Sequence, residues 1–230
     1  MATHLDLEEQ EQLDQLKAFW NQYGNVITWL LIAALTAYAG WNGWNYWQRE
    51  QATKAAAIFE ELDKAVQAAD VARAAGIFAD IKERYPNTVI AHQAGFLTAK
   101  LQADKGQADP AIATLQWVAG QSSEAEYQTI ARLRVAGLLL DQKKYDEAIK
   151  QLDAAGAKDF EALVADRRGD VLLAQGKTEE AKAAFQRAWK TMDAKVSYRR
   201  LIDAKLTAMG AAPAEDAPKV VAVKPDEAKR

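Results

Sequence analysis

"VLLAQGKTEEAKAAFQRAW", residues 171–189, contains two helical patterns that meet at a glycine. Apolar residues recur every three or four positions on both sides of Gln175-Gly176, and alanine is frequent, as is typical of packed α-helices. Glycine readily adopts the left-handed backbone conformation that ends a helix. The stretch therefore predicts a helical hairpin with a tight turn.

The same pattern occurs twice more upstream. "LLLDQKKYDEAIKQLDAAG" (138–156) matches the first stretch with an offset of 33 residues, and "KLQADKGQADPAIATLQWV" (100–118) matches it in turn with an offset of 37. Each copy has a small residue followed four positions later by a large one. These pairs are Ala111 and Leu115, Ala148 and Leu152, Ala181 and Phe185, and, in a fainter copy, Ala74 and Phe78. We expect the small residue to let two helices approach and the large residue to fill the space above it.

This period resembles that of the tetratricopeptide repeat, which is about 34 residues. In the last copy the small, turn, small, aromatic and small positions of that motif are Gly169, Gly176, Ala181, Phe185 and Ala188. In the copy before it they are Ala136, Lys143, Ala148, Leu152 and Ala155, so the turn glycine is missing. The sequence predicts an all-α solenoid of helical hairpins over residues 48–209, with three repeats and a degenerate fourth.

A charge-free segment precedes the repeats. No charged residue occurs between Lys17 and Arg49, and "VITWLLIAALTAYAGW" (26–41) is almost continuously apolar. As a helix, the segment is long enough to cross a hydrocarbon layer of roughly 30 Å. Trp and Tyr prefer the membrane interface, and they occur near both ends of the segment. These predicted interface aromatics are Trp20, Tyr23, Trp41, Trp44 and Trp47. We predict a transmembrane helix over residues 24–47.

Two alternatives to a membrane anchor remain at this point. One is the buried helix of a soluble domain, although such helices rarely run this long without a charge. The other is a cleaved signal peptide with Ala37-Tyr38-Ala39 at its cleavage site, but the region before it is acidic and the apolar run is far from the terminus. Orientation is open as well: Lys17 precedes the span and Arg49 and Lys54 follow it, a difference of one charge that leans toward a cytoplasmic C-terminal part.

Two flanking segments complete the predicted organisation. Residues 1–23 form an amphipathic lead, because Leu13, Leu16, Trp20 and Tyr23 follow helical spacing. Residues 210–230 form a tail of Ala, Pro and alternating charge, which is too poor in apolar residues to fold and is predicted to be disordered. Between the lead and the tail, the C-terminal helix of the repeat domain is predicted over residues 193–209.

The composition argues against several classes of function. Cysteine is absent, which excludes disulfides, thiolate metal sites and cysteine nucleophiles, and the two histidines, His4 and His92, are too few for a metal cluster. Residues 50–209 carry 23 basic and 23 acidic side chains, without the clustered basic residues that nucleic-acid binding requires. No glycine-rich phosphate loop occurs. We therefore predict no enzyme activity, no cofactor and no metal, and no nucleic acid as a partner.

The repeat register predicts a partner groove. In such solenoids the first helix of each hairpin lines a concave surface. The candidate groove residues are Phe96, Lys100, Leu133, Gly137, Leu140, Asp166, Asp170 and Leu173. Apolar residues are prominent among them, and no basic pair could bind a terminal carboxylate. Such a groove suits extended or helical peptide segments. In the alternative, the C-terminal helix covers several of these residues and makes them core.

The order of the segments resembles the bacterial YfgM family. The resemblance rests on Leu16-Lys17-x-Phe19-Trp20-x-x-Tyr23-Gly24, on the exit "GWNGWNYWQ" (40–48) and on the divergent repeats, and it covers residues 5–209. It implies an inner-membrane protein with a cytoplasmic N-terminus and a periplasmic repeat domain. It also implies an ancillary partner of the SecYEG translocon, alongside the membrane-anchored chaperone PpiD.

Two functions follow from that resemblance. The first is a non-enzymatic interaction module that holds unfolded or peptide-like clients, or their chaperones, near the translocon and helps to hand translocated proteins to periplasmic chaperones. The second is a purely structural scaffold of a membrane complex, which binds no client chain. Crosslinks in the groove that depend on a client would separate the two.

Overall fold

The computed structural model describes residues 7–213, with side chains from Glu11 onward. The described residues are helical and contain no strand, which confirms the predicted all-α class. The helices are α1 (Leu7–Gln67), α2 (Val71–Arg84), α3 (Val89–Asp104), α4 (Ala108–Gln121), α5 (Ala125–Asp141), α6 (Tyr145–Asp153), a short 3-10 helix (Lys158–Phe160), α7 (Glu161–Ala174), α8 (Thr178–Thr191) and α9 (Arg199–Ala208). Helix α9 begins six residues later than the predicted C-terminal helix. Residues 214–230, most of the predicted tail, lie outside the described residues.

The chain divides into two compact units, residues 1–54 and residues 55–230. In the first unit, α1 begins at Leu7 and passes through the apolar segment without a break. It is the one helix in the described part of the chain that is long and apolar enough to cross a membrane, and 6% of its most apolar window is buried within the protein. A buried helix of a soluble domain therefore does not describe this segment. The limits 1–23 and 24–47 fall inside one helix and stay predictions.

The second unit is built from helical hairpins. The end of α1, residues 55–67, packs against α2 through Leu62 and Ala65. The next three hairpins are α3 with α4, α5 with α6 and α7 with α8, and α9 follows the last of them. All four predicted small residues, Ala74, Ala111, Ala148 and Ala181, are 0% exposed. The four large residues, Phe78, Leu115, Leu152 and Phe185, are buried as well. The packing agrees with the register read from the repeats.

Two glycines permit this close packing. A Cβ atom on Gly169 would lie 2.5 Å from Cε1 of Phe185, closer than carbon atoms can approach. A Cβ atom on Gly95 would lie 2.5 Å from Cγ2 of Val118 and 3.3 Å from the ring of Phe78. The aromatic ring of one helix thus packs on the bare backbone of its neighbour, as the small position at Gly169 predicts.

The turns of the four hairpins share one geometry. Each has a residue with positive φ at the same place. These residues are Ala69 (53°), Gly106 (75°), Lys143 (60°) and Gly176 (79°). The next N–H donates to the carbonyl five residues back in every case, as in Lys144 to Leu139 at 2.8 Å and Lys177 to Leu172 at 2.9 Å. The third hairpin therefore keeps the turn without its glycine, and Lys143 adopts a backbone conformation that is unfavourable for an L-residue.

Candidate partner-binding groove

An open groove of about 650 Å³ lies along one side of the repeat unit. Helices α3, α5 and α7 provide most of its lining, and the short 3-10 helix closes one side with Phe160. Three of the predicted residues, Lys100, Leu133 and Gly137, line it. Further apolar side chains form its walls, among them Ile130, Leu138, Phe160 and Leu163. The groove has the size and the apolar lining of a site for a short peptide segment.

Gly137 opens the floor of the groove. It lies inside α5, where a glycine weakens a helix by about 1 kcal/mol relative to alanine. No turn or close helix contact requires it, because a Cβ atom there would have the Arg167 guanidinium as its nearest neighbour, at 3.9 Å. The missing side chain enlarges the groove and would let the main chain of a ligand approach α5.

Two cations at the groove were absent from the predicted set. The Arg134 guanidinium lies 4.7 Å from the ring centroid of Phe96, and it forms no ion pair with any residue that the structure describes. The Arg167 guanidinium lies 3.7 Å from Asp170. Lys100, which the register did predict, is paired with Asp104 on its own helix. Arg134 could have been predicted from its position directly after Leu133. The face of a helix that lines a groove is wider than one row of residues, so neighbours of a predicted groove residue can line it as well.

Phe96 and a buried histidine lie on α3 before the residues of that helix that line the groove. The Phe96 ring stacks on Tyr127 with centroids 5.9 Å apart. One turn earlier on α3, His92 is 4% exposed and packs against the rings of Trp117 and Tyr127. Burial lowers the pKa of His92 from its ordinary 6.5, and the charge of Glu124 opposes that shift only in part. His92 therefore packs as a neutral ring at pH 7.

The far end of the predicted groove is covered by α9. Asp166 is 2% exposed, and its carboxylate accepts hydrogen bonds from the Tyr198 hydroxyl at 2.8 Å and from the Lys205 ammonium at 2.8 Å. Lys205 also donates to Asp170 at 2.7 Å. Burial raises the pKa of Tyr198 to about 12, with further contributions from the hydrogen bond and the negative charge of Asp166. At Asp166 and Asp170 the structure thus follows the alternative in which the C-terminal helix covers the surface.

Two further predicted groove residues, Leu140 and Leu173, do not line the groove. Leu140 is half-buried against the core of the second and third hairpins. Leu173 is 44% exposed on α7. The structure thus brings Lys100, Leu133 and Gly137 together, with Phe96 reaching them through Arg134, and it separates Asp166 and Asp170 from them. Binding of a partner at any of these residues stays a prediction.

The predicted interface aromatics lie on α1 with exposed rings. Trp20, Tyr23, Trp41, Trp44 and Trp47 are each at least 45% exposed. The rings of Trp44 and Trp47 contact each other with centroids 5.3 Å apart. The Trp20 indole lies along the helix, with atoms 3.1 Å from the position of a Cβ on Gly24. Their place at a membrane surface stays a prediction.

Within residues 7–213 the structure brings together no group of three or more His, Asp or Glu side chains that could hold a metal ion. One of the acidic side chains, Glu61, forms ion pairs with basic residues of α1 and α2. Glu61 accepts hydrogen bonds from Lys64 and Arg73, and these two partners lower the pKa of Glu61.

Known proteins match nearly the whole chain. A family model described as a tetratricopeptide repeat-like domain matches residues 17–211. The ancillary SecYEG translocon subunit of Neisseria gonorrhoeae is 32% identical over 210 residues, which cover 91% of this chain and 100% of that protein. The protein of the same name from Haemophilus influenzae is 29% identical over 79% of this chain and 89% of its own length. The one from Escherichia coli is 27% identical over 80% and 88%. No solved structure matches the chain.

Proposed function

Because this chain belongs to the YfgM family of ancillary SecYEG translocon subunits, we propose that it is a non-enzymatic, membrane-anchored interaction module at the Sec translocon. In this role it helps to hand translocated proteins to periplasmic chaperones, and a PpiD-like chaperone is one of its partners. The family supports the association with the translocon, and repeat domains of this kind act by binding other proteins.

The open half of the groove is the observation that carries the proposed handling of clients. It combines an apolar wall with a floor that Gly137 leaves open, and with the guanidinium of Arg134 at its edge, which pairs with no carboxylate of residues 11–213. Such a groove suits an unfolded segment that has aliphatic side chains and one acidic residue, because the carboxylate would pair with Arg134. The groove is short, so each contact is weak and a client is released readily.

The proposed location is the inner membrane, with a single span, a cytoplasmic N-terminus and a periplasmic repeat domain. The apolar part of α1 supports the span. Local charge does not set this orientation, because domains as long as residues 48–209 translocate largely regardless of the charges beside the span. Alkaline phosphatase fused after Arg230 should be active, and protease added to spheroplasts should digest the repeat domain. A mature chain that starts at Gly40 would contradict the anchor.

Photocrosslinking tests the handling of clients. A photoreactive amino acid replaces Leu133 in the groove, and a matched control replaces Glu179, whose side chain is 83% exposed on α8. We expect adducts between residue 133 and secretory proteins in transit, which disappear when protein synthesis is stopped. The control position should give none of these adducts.

The second candidate function is a scaffold that binds no client chain. The cover that α9 forms over Asp166 and Asp170 favours it, because this contact shortens the surface open to a ligand. Under this function, residue 133 would give adducts only with stable subunits of the membrane complex, whether or not proteins are being translocated. The same experiment therefore separates the two candidates.

A further inference from the structure

Among the residues that the structure describes, five charged side chains line the open groove. They are Lys100, Asp104, Arg134, Asp141 and Arg167. Three of them have a partner of opposite charge within the chain, because the lysine pairs with Asp104 and Arg167 pairs with Asp170. The other two, Arg134 and Asp141, form no ion pair with any described residue. The groove therefore offers one positive and one negative charge to a ligand.

These two charges lie on the same face of one helix. Arg134 and Asp141 are both residues of α5 and are seven positions apart. At 1.5 Å and 100° per residue, this spacing places them about 10 Å apart along the helix axis and turns them by only about 20° around it. Gly137 and Leu138 lie between them and also line the groove. The groove thus has a positive end and a negative end, with an open apolar floor between the two.

Asp141 does not stabilise the helix that carries it. It is the last residue of α5, and the last turn of α5 contains no basic residue. The helix dipole disfavours a carboxylate at this end. Asp104 is the last residue of α3 in the preceding hairpin, but there Lys100 on the same helix neutralises the charge. Because no described residue does this for Asp141, its charge is available to a ligand.

A ligand that pairs with both ends must carry two opposite charges at a matching distance. We propose that the groove selects unfolded client segments in which an acidic and a basic residue are three positions apart, with apolar residues between and beside them. In the polyproline II conformation, which is common in unfolded chains, residues i and i+3 lie on the same side about 9 Å apart. The acid then pairs with Arg134 and the base with Asp141. The inference rests on the proposed binding of clients in this groove.

Both ends are needed for this selection. Arg134 and Asp141 are exposed, so a single ion pair at either of them is weak. A segment with two like charges is attracted at one end and repelled at the other, whereas a segment with opposite charges is attracted at both. Because no part of the groove fixes the direction of the bound chain, either order of the two charges fits.

Fluorescence anisotropy of three labelled peptides tests the proposal with the full-length chain in nanodiscs of neutral phospholipid. The peptides have blocked ends and the sequences SLDLVKLS, SLDLVDLS and SLKLVKLS. They differ only in the two charged residues. We expect the chain to bind the peptide with one acid and one base at least fivefold more tightly than either of the others. Empty nanodiscs are the control for binding to lipid.

Charge reversal at each end should change the preferred peptide in a defined way. R134E makes both ends negative and should favour the peptide with two lysines, whereas D141K makes both ends positive and should favour the peptide with two aspartates. The double variant exchanges the two ends and should restore the original preference. E179K, on α8 outside the groove, is the matched control and should leave the order of affinities unchanged.

A structural role for the two charges predicts a different result. If R134E or D141K weakened the binding of all three peptides equally, or left the order of affinities unchanged, the proposal would be wrong. Thermal unfolding of each variant shows whether it is folded, and the comparison of the three peptides on the unmodified chain does not depend on any variant.

The outcomes also separate this inference from the proposed function. If all three peptides bind with equal affinity, the groove binds clients and the charge selection falls alone. If none of them binds, the proposed handling of clients falls together with the inference. Photocrosslinks from residue 133 to residues 214–230 of the same chain, or to a second copy of the chain, would show a different occupant and overturn the inference.

Discussion

The third and fourth hairpins place equivalent residues in opposite surroundings. Leu133 and Gly137 on α5 face an open groove, whereas Asp166 and Asp170, 33 residues further on, lie beneath α9. The repeat register sets the direction in which these side chains point. It does not set what covers them, because the cover comes from a helix that follows the last repeat.

The charges of Asp166 and Asp170 are compensated by residues of the C-terminal segment that covers them. A carboxylate as buried as Asp166 is stable only when hydrogen bonds and an opposite charge compensate for its lost hydration. Tyr198 and Lys205 provide both. The aliphatic and glycine residues at the equivalent places on α5 have no such partners, which is consistent with a surface kept free for another chain.

Removal of the charge of Lys205 should cause the largest loss of stability. K205M leaves Asp166 buried without its cation, and we expect the repeat unit to lose about 3 kcal/mol of unfolding free energy. Chemical denaturation of the fragment 51–230 measures it. K100M is the matched control, because Lys100 belongs to an exposed pair at the open end, where the loss should be below about 1 kcal/mol. Equal losses at the two ends would show that α9 does not bury its contact in solution.

Overpacking the fourth hairpin should have the next largest effect. Ala181 is 0% exposed at the contact between α7 and α8, so A181L forces the helices apart and should cost about 1–3 kcal/mol. A183L, at an exposed position on the same helix, is the control. Thermal unfolding of the fragment 51–230 checks it. An unchanged midpoint for A181L would mean that the register of the repeats is wrong.

The repeats and the membrane segment could be predicted from the sequence because short-range spacing determines both. The small and large positions repeat along the chain, and the membrane segment is marked by the absence of charged residues between Lys17 and Arg49. The groove could be predicted only in part. The contact of Lys205 with Asp166 joins residues 39 apart without any periodic signal. The positive φ of Lys143 could not be predicted either, because no glycine marks that turn and the hairpin itself imposes the conformation.

His92 and Tyr198 should make the stability of the repeat unit fall on opposite sides of neutral pH. The folded pKa of His92 lies below its ordinary 6.5, so the unfolded chain binds a proton first and stability falls as pH drops below about that value. The folded pKa of Tyr198 is raised from 10.0 to about 12, so the unfolded chain loses its proton first and stability falls as pH rises through that interval.

Two single variants separate these responses. H92F cannot be protonated and should reduce the fall of the thermal midpoint just below pH 6.5, with the alkaline side of the plot unchanged. Y198F should flatten the alkaline side alone. If either variant changed both sides, or neither, the pKa shifts would not belong to His92 and Tyr198 as assigned.

The smallest change in stability is expected at Gly137, and it should have the opposite sign to the change in binding. In G137A the new Cβ meets the Arg167 guanidinium at an ordinary 3.9 Å, so α5 gains about 0.5–1 kcal/mol from the better helix propensity. The same methyl group narrows the floor of the groove, so crosslinks from residue 133 to secretory proteins should decrease.

G76A is the matched control: Gly76 lies inside α2 with no atom within 4 Å of a Cβ, and it should gain similar stability without any effect on crosslinking. If G137A and G76A behaved alike in both measurements, the open floor would have no role in binding. If G137A is more stable but binds clients less well, Gly137 lowers the stability of α5 and is needed for binding of the client.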